Sequence, residues 1–249
     1  MKCKITDKII KPFMSFGKMP IANGFLKKEN FENEFYFNME VGFSEELSLF
    51  QLNEHPKPEA MFNEKYPFFS SSSELMKIHF KEYANYVVKK FLKPGSKLIE
   101  IGSNDGTLLK NFKSKKTEIL GIEPSKNVAL VAIKNNVHTI NKFFTFKTAN
   151  NLKNFKNETD LICAANAICH IPKLNDLIKG IDVLLSKKGF FIFEEPYLGS
   201  MYEKTSYDQV YDEHIFMFSV TSVMKIFDLY NFDLIDVQKQ NTHGGSMRY

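Results

Sequence analysis

From Gly95 onward, short apolar runs alternate with longer helical segments. This alternation is typical of a parallel sheet covered by helices, because parallel neighbours need a crossover connection between them. No internal repeat or linker interrupts it. The pattern predicts an α/β fold with strands at residues 97–101, 119–123, 137–140, 160–164, 190–194 and 234–238, and a further strand beginning within residues 245–249.

The chain before this alternation divides into a lobe and a helix. Residues 1–65 contain four prolines and short apolar runs without a helical period, so we expect a small, irregular N-terminal lobe. From Met76 to Phe91, apolar residues recur every three or four positions, which predicts an amphipathic helix of about five turns. Ser71 and Glu74 have the spacing of a capping box at its start. The predicted domains are the lobe, 1–65, and a main domain, 66–249.

Composition excludes several classes of protein. The 249 residues carry 33 basic and 29 acidic side chains, a formal net charge of +4, and 43% are hydrophobic, as in globular domains and unlike disordered or fibrous chains. The three cysteines lack the spacing of a disulfide framework, which favours a reducing compartment. The sequence contains no run of 18 apolar residues and no signal-peptide pattern, so we expect a soluble, cytoplasmic protein without a membrane partner.

A glycine-containing turn follows the first strand of the alternation. The sequence LIEIGSNDG, residues 98–106, runs from an apolar strand into a turn where Gly102 and Gly106 allow close approach of a ligand. Glu123 ends the next strand, 17 residues after Gly106, where a carboxylate can accept both hydroxyls of a ribose. Any doubly wound domain needs glycines at such turns, but Glu100 and Glu123 favour a nucleoside site. The NAD-binding fingerprint, G-x-G-x-x-G, is not matched.

The pattern Glu-x-Gly-x-x-x-Gly resembles the first motif of class I S-adenosylmethionine-dependent methyltransferases, with Asn104 in place of the usual middle glycine. The sequence further resembles the deoxysugar C-methyltransferase family, whose members methylate nucleotide-linked sugars. This resemblance rests on blocks in the family's order: YPFFSSSS at 66–73, EIGSNDG at 100–106, GIEPS at 121–125, NAICHI at 166–171, EPYL at 195–198, YDQVYDEH at 207–214 and HGGSMR at 243–248. It implies a Rossmann-like class I methyltransferase fold, with a mostly parallel sheet flanked by helices, and S-adenosylmethionine as cofactor.

Two features depart from that family. Its members usually open with a small zinc-binding domain carrying paired cysteines, whereas only Cys3 is present here, and Ser44 and Leu47 stand roughly where the second pair would be. One thiol cannot hold a tetrahedral zinc, so we predict no metal. The family normally continues into a C-terminal domain that helps hold the nucleotide sugar, whereas this sequence stops at Tyr249, and we expect either a natural short form or a catalytic fragment.

The resemblance also implies roles for individual residues. His170 follows the strand predicted at 160–164, at the end where doubly wound sheets bind their ligands, and a neutral imidazole can accept a proton. From position alone, a histidine in a surface loop is an equally good interpretation. Phe69 and Met76 also fit as core residues. The implied catalytic residues are His170, Tyr211, Glu213, His214 and Tyr66, and the implied cofactor-binding residues are Glu100, Gly102, Ser103, Asn104, Gly106, Glu123, Pro124, Asn166, Phe69 and Met76. His243 is a further candidate, although a hairpin turn explains its glycine-rich block almost as well.

These features together predict a cytoplasmic S-adenosylmethionine-dependent methyltransferase of a nucleotide-activated sugar, serving surface-glycan or natural-product biosynthesis. Carbon methylation of a keto sugar is narrowly favoured over oxygen methylation of a hydroxyl. A nucleic-acid methyltransferase or binding module is an alternative, but the lysines are dispersed, and residues 166–169 read NAIC instead of the NPPY or DPPY of amino-group base methyltransferases. A third alternative is a degenerate partner that binds the cofactor without chemistry, against which the retained His170 and Tyr211 argue.

Overall fold

The computed structural model describes residues 1–249, apart from the side chains of Ser114 and Lys115. Its strands are β1 (Lys11–Pro20), β2 (Tyr36–Ser44), β3 (Leu49–Leu52), β4 (Lys97–Ile101), β5 (Glu118–Ile122), β6 (Thr139–Ile140), β7 (Thr159–Ala165), β8 (Leu185–Pro196), β9 (Phe216–Met217), β10 (Gln238–Gln240) and β11 (Ser246–Arg248). Its α-helices are α1 (Pro58–Met61), α2 (Glu74–Phe91), α3 (Lys126–Lys134), α4 (Phe146–Asn150), α5 (Leu174–Leu184), α6 (Leu198–Lys204) and α7 (Val220–Asp228). Short 3₁₀ helices span Lys28–Asn33, Ser70–Ser72, Leu109–Lys115, Ile168–His170 and Tyr207–Gln209.

By compactness, the chain divides into two units. We call Phe62–Ile168 with Asn175–Phe193 the central unit, and Met1–Met61 with Cys169–Leu174 and Glu194–Tyr249 the terminal unit. This division differs from the predicted domains, 1–65 and 66–249, because residues late in the chain group with the N-terminal lobe. The reason is strand pairing, since β9 extends the lobe's sheet by pairing with β3.

The central unit contains a parallel sheet. Its strands follow the order β8, β7, β4, β5, β6, and β4 pairs in parallel with both β5 and β7. The middle strand is buried, with Leu98, Ile99 and Ile101 at most 1% exposed, as expected for a parallel strand covered on both faces. The predicted α/β fold, with a mostly parallel sheet flanked by helices, is confirmed. The strand at 97–101 has the predicted bounds, whereas β8 begins five residues before its predicted start.

Helix α2 confirms the predicted amphipathic helix and buries Phe80, Tyr83 and Val87 in the core of the central unit. The hydroxyl of Tyr83 donates to the carbonyl oxygen of Ile192 in β8, at 3.0 Å, which satisfies both buried polar groups.

The start of α2 differs from the prediction. Ser73 is the N-cap, and its hydroxyl accepts a hydrogen bond from the amide of Met76 at 3.3 Å. The predicted capping box of Ser71 and Glu74 is wrong, because Ser71 lies in a 3₁₀ turn and Glu74 is already the first residue of the helix.

The terminal unit contains an antiparallel sheet in the order β1, β2, β3, β9. Alternate residues of β2, namely Phe37, Met39 and Val41, are buried and pack with Leu52 and Met217. This period of two is what a sheet with one buried face requires. The N-terminal lobe is therefore more regular than its prolines suggested.

The C-terminal hairpin corrects one predicted strand. Strand β10 pairs antiparallel with β11, and the predicted strand at 234–238 is wrong except for Gln238. The turn at Gly244 and Gly245, both at positive φ, fixes the pairing of Gln238 with Arg248. Arg248 is buried and donates from Nε to Oε1 of Glu194 at 2.6 Å. The strand predicted within 245–249 is confirmed as β11.

Candidate active site

The turn after β4 packs closely against the segment that follows β7. Gly102 and Gly106 have φ values of +69° and +76°, a region that glycine enters without strain. A Cβ on Gly102 would lie only 2.6 Å from the Cβ of Ala167. Any side chain at position 102 would therefore displace Ala167 or the turn itself.

Asn104, which replaces the middle glycine of the motif, connects the turn to the segment before α2. Its φ is +48°, a conformation that Asn tolerates better than most residues. Its side chain donates from Nδ2 to the carbonyl of Phe68 at 3.0 Å and accepts from the amide of Ser70 at 2.9 Å. The side chain thus fastens the segment before α2 to the turn.

Glu123 lies beside this turn with both carboxylate oxygens engaged. Oε2 accepts from the amide of Asn104 at 2.9 Å, and Oε1 accepts from the amide of Ser125 at 2.7 Å. Burial raises the pKa of Glu123, while these hydrogen bonds act in the opposite direction. A carboxylate has about four lone-pair directions, so two remain for the hydroxyls of a ribose.

Glu100 and Asp105 have different surroundings. Burial, followed by the charges of Glu123 and Asp105, raises the pKa of Glu100 well above its ordinary value. Oε2 of Glu100 is buried without a hydrogen-bond partner among the described residues. Asp105 accepts from the amide of Ser71 at 2.9 Å and from the hydroxyl of Thr107 at 2.6 Å. Glu100 is therefore a buried residue next to the turn. Asp105 was not among the predicted site residues, but its hydrogen bonds hold the turn in place.

Two further predicted residues present unsatisfied polar atoms. Ser103 Oγ and Asn166 Oδ1 are buried and have no hydrogen-bond partner among the described residues. Asn166 follows β7 at a φ of +52° and directly precedes Ala167, which contacts the turn. Because an unmade buried hydrogen bond costs about 1–3 kcal/mol, a polar ligand at the turn fits these atoms.

The remaining predicted cofactor residues differ in position. Met76 packs against the apolar core of the central unit, as its alternative interpretation proposed. The carbonyl of Pro124 accepts from Asn141 at 2.7 Å. Phe69 is half-buried in the segment that Asn104 fastens.

A second cluster lies in the terminal unit, where His170, Tyr211, Glu213 and His214 come together. The ring centroids of His170 and His214 are 5.2 Å apart, and those of Tyr211 and His214 are 4.3 Å apart. Nδ1 of His170 bonds the backbone carbonyl of Glu213 at 2.7 Å, and Nδ1 of His214 bonds that of Gln209 at 2.9 Å. A carbonyl only accepts, so each Nδ1 carries a proton, and in a neutral ring the lone pair lies on Nε2.

Burial dominates the electrostatics of this cluster. Burial, then the charge of His170, lowers the pKa of His214 to about 3, so this ring is neutral at physiological pH. Burial and the charge of Glu213 raise the pKa of Asp212 to about 6, and burial raises the pKa of Glu213 itself. Burial and the neighbouring Glu195 raise the pKa of the Cys169 thiol well above its usual range. The cluster therefore holds the neutral ring of His214 beside poorly solvated carboxyl groups.

Residues that the sequence argument missed complete the cluster. Nδ2 of Asn23 donates to Oε1 of Glu213 at 2.7 Å, and the amide of Ala22 donates to Oδ2 of Asp212 at 3.3 Å. Asp212 lies inside the sequence block YDQVYDEH, residues 207–214, so the resemblance could have indicated it. Asn23 had no such signal, because it is 190 residues from its partner in the chain.

Tyr66 and His243 have different surroundings, and the charge of His243 contributes to the lowered pKa of His214. Tyr66 belongs to the central unit, where its ring contacts Phe62 and Phe68 and its carbonyl accepts from Asn127 at 2.7 Å. His243 is exposed, at a φ of +50°, in the turn between β10 and β11. The terminal unit therefore gathers four of the five predicted catalytic residues.

Comparison with known families identifies the chain. Residues 76–237, more than half of its length, match the model of a family described as a methyltransferase domain. The chain belongs to this methyltransferase family. Within the residues described, no helix of this methyltransferase is both long enough and apolar enough to cross a membrane.

Solved structures share the fold of the methyltransferase. A SAM-dependent methyltransferase from Thermotoga maritima, a possible histamine N-methyltransferase, is 22% identical, with 70% of this chain and 90% of that chain covered at a TM-score of 0.52. Magnesium protoporphyrin IX methyltransferase from Synechocystis, solved with bound SAH, is 12% identical, with 69% and 80% covered at a TM-score of 0.52. At these identities the likeness establishes the fold alone.

A curated relative shows similarity along most of the chain. C-methyltransferase NovU from Streptomyces niveus is 27% identical over 236 residues, which are 94% of this chain and 56% of NovU. The methyltransferase therefore spans little more than half the length of this relative.

The N-terminal lobe has a family match of its own. Residues 3–62 match a family described as a putative zinc binding domain. Cys3 is the only cysteine in that range, and a structural zinc takes four ligands, so the lobe's residues do not fit zinc. Among the side chains described, the histidines, cysteines and acids close enough to share an ion lie elsewhere, at Cys169, His170 and His214. That the lobe holds no metal stays a prediction.

Proposed function

We propose that this methyltransferase transfers a methyl group from S-adenosylmethionine to a carbon atom of a nucleotide-linked keto sugar. The observation that carries the proposal is the pair of buried imidazoles, His170 and His214, each held through Nδ1 by a backbone carbonyl beside Tyr211. The similarity to NovU, which is named a C-methyltransferase, supports the same class of reaction. The deoxysugar-family blocks support the substrate class.

The methyl donor is S-adenosylmethionine. When bound, it supplies an electrophilic methyl group on a sulfonium and departs as a neutral thioether. The lone pairs of Glu123 that are not used by the amides of Asn104 and Ser125 would accept hydrogen bonds from the ribose hydroxyls. The backbone of Gly102–Gly106 would lie along the methionine part, and Asn166 and Ser103 would satisfy their buried oxygen atoms on polar groups of the ligand.

His170 is the proposed general base. Its Nδ1 donates to the carbonyl of Glu213, so Nε2 is the atom that takes a proton from the substrate carbon next to the ketone. The electron pair of that C–H bond then forms the enolate, whose carbon attacks the methyl group. His214 is the weaker choice for a base, because its pKa of about 3 makes its protonated form too acidic to keep a proton.

His214 and Tyr211 have orienting roles in this proposal. Nε2 of His214, buried and without a described partner, would accept a hydrogen bond from a sugar hydroxyl. The phenol of Tyr211, whose ring packs 4.3 Å from that of His214, would donate to the enolate oxygen. A hydrogen-bond donor aimed at a developing oxyanion is worth about 10²–10³ in rate. Oxygen methylation needs the base but no such donor, so a phenol at this position supports carbon methylation.

Product analysis tests the reaction class. The protein is mixed with S-adenosylmethionine and nucleotide-linked sugars, both 4-keto and fully hydroxylated, and the products are analysed by mass spectrometry. We expect a gain of one methyl group on keto sugars, with loss of a carbon-bound hydrogen. Methylation of hydroxylated sugars alone would refute carbon chemistry, and methylation of neither class would refute the sugar substrate.

Hydrogen exchange tests the base separately from methyl transfer. In D₂O and without S-adenosylmethionine, so that no methyl transfer follows, the intact base should exchange the carbon-bound proton of a keto sugar. We expect His170→Gln to abolish this exchange and to lower turnover by roughly 10²-fold or more. His138→Gln, at an exposed histidine of the central unit, is the matched control and should change neither. Unchanged turnover in His170→Gln removes His170 from this role.

A further inference from the structure

Cys169, His170 and His214 bring three potential metal ligands together in the terminal unit. The Cys169 Sγ and one ring nitrogen from each histidine lie within 4.8 Å of one another, and all three residues are buried. Thiolate and imidazole are the ligands that zinc and similar borderline divalent metals select. We propose that these three residues bind one divalent transition-metal ion of the zinc class, at a site distinct from the N-terminal lobe.

The orientation of both imidazoles supports this site. In metal-binding histidines, one ring nitrogen usually donates to a carbonyl or carboxylate, which fixes the ring and leaves the other nitrogen to the metal. His170 and His214 each make such a bond from Nδ1, to the carbonyls of Glu213 and Gln209, at 2.7 and 2.9 Å. Nε2 is therefore the ligand atom on both rings.

An unsatisfied atom is the second observation. Nε2 of His214 has no hydrogen-bond partner among the described residues, although the side chain is only 4% exposed. Leaving a buried polar atom unpaired is unfavourable, and a bond to a metal would remove this cost.

The surrounding charge also favours a cation. Glu195 is fully buried beside Cys169, and Glu213 is 3% exposed beside His170. On binding, the Cys169 thiol gives its proton to solvent and the thiolate forms the metal–sulfur bond, so the ion offsets the charge of the thiolate. Three protein ligands leave a fourth tetrahedral position open for water or a substrate oxygen.

One consequence rests on the proposed function. If His170 is the general base, a metal on Nε2 takes the lone pair that proton abstraction needs, and the metal-bound protein should not methylate a keto sugar. The site itself does not depend on that reaction, and its binding experiment needs no substrate.

Cobalt titration tests the site. Metal-free full-length protein is titrated with Co²⁺, and absorption is followed in the visible, for tetrahedral cobalt, and in the near ultraviolet, for sulfur-to-cobalt charge transfer. We expect saturation at one equivalent and loss of both signals on adding Zn²⁺. No saturable signal in the wild-type protein would overturn the proposal.

Matched variants locate the ligands. Cys169→Ser should remove the charge-transfer band, and His214→Gln should weaken Co²⁺ binding at least about tenfold. Cys3→Ser is the control, because it removes the remaining cysteine of the lobe that matches the zinc-domain family, and it should bind Co²⁺ as the wild type does. A band that survives in Cys169→Ser, or one that disappears in Cys3→Ser, would contradict the assignment.

Discussion

Replacing Gly102 by alanine tests the close packing of the turn after β4. The new Cβ would lie 2.6 Å from the Cβ of Ala167, at a backbone φ of +69°. Overpacking of this kind costs about 1–3 kcal/mol, and the left-handed conformation costs an L-residue roughly 1–2 kcal/mol. We therefore expect Gly102→Ala to lower the free energy of unfolding by about 2–5 kcal/mol.

Gly95 supplies a control that separates these two costs. Its φ is +90°, and a Cβ built there would meet no atom within 4 Å. Gly95→Ala therefore has the conformational cost without the steric one, and we expect a loss of about 1–2 kcal/mol in the free energy of unfolding. The difference between the two variants measures the contact with Ala167.

Urea unfolding and thermal melting give the two stabilities, and calorimetric titration with S-adenosylhomocysteine gives ligand affinity. At about 2–4 °C per kcal/mol for a chain of this size, Gly102→Ala should melt several degrees below Gly95→Ala. Only Gly102→Ala should lose affinity, because only its contact distorts the turn. Equal losses of stability in the two variants would refute the packing argument.

Three further substitutions test contacts described above. Arg248→Met should lower the free energy of unfolding by about 3–5 kcal/mol, because it removes the guanidinium from a buried ion pair, and adding Glu194→Gln should restore most of the loss in the same urea experiment. Tyr83→Phe removes the hydroxyl that donates to a buried carbonyl of β8 and should cost about 1–2 kcal/mol by urea unfolding. Ser73→Ala should cost about 1 kcal/mol in thermal melts as an N-cap loss, whereas the exposed Ser72→Ala should cost much less; the reverse order would contradict the assigned cap.

The central unit followed from the sequence because its signals are local. A helix of 18 residues repeats its apolar face many times, and a buried parallel strand is apolar throughout, so α2 and β4 were found with nearly their true bounds. The strand predicted at 234–238 failed because its residues are mostly exposed and the hairpin turn sets the pairing. Such register depends on a partner strand, which local periodicity does not report.

The site was predictable only where its residues stand near each other in sequence. The glycine turn and Glu123 follow one another along two strands, and Tyr211 to His214 form a short block. The contact of Asn23 with Glu213 joins residues far apart in the sequence. The same is true of the packing that groups residues 169–174 with the N-terminal lobe, and local sequence patterns report neither.

The hydrogen bonds between the segment before α2 and the turn after β4 allow the opening of that turn to be measured directly. The amides of Ser70 and Ser71 donate to the side chains of Asn104 and Asp105, both in the turn after β4. An amide hydrogen exchanges with solvent only when its hydrogen bond opens, so the exchange rates of these two serines report how often the turn comes apart. Two neighbouring amide resonances can thus follow the opening of this turn without substrate, turnover or an attached label.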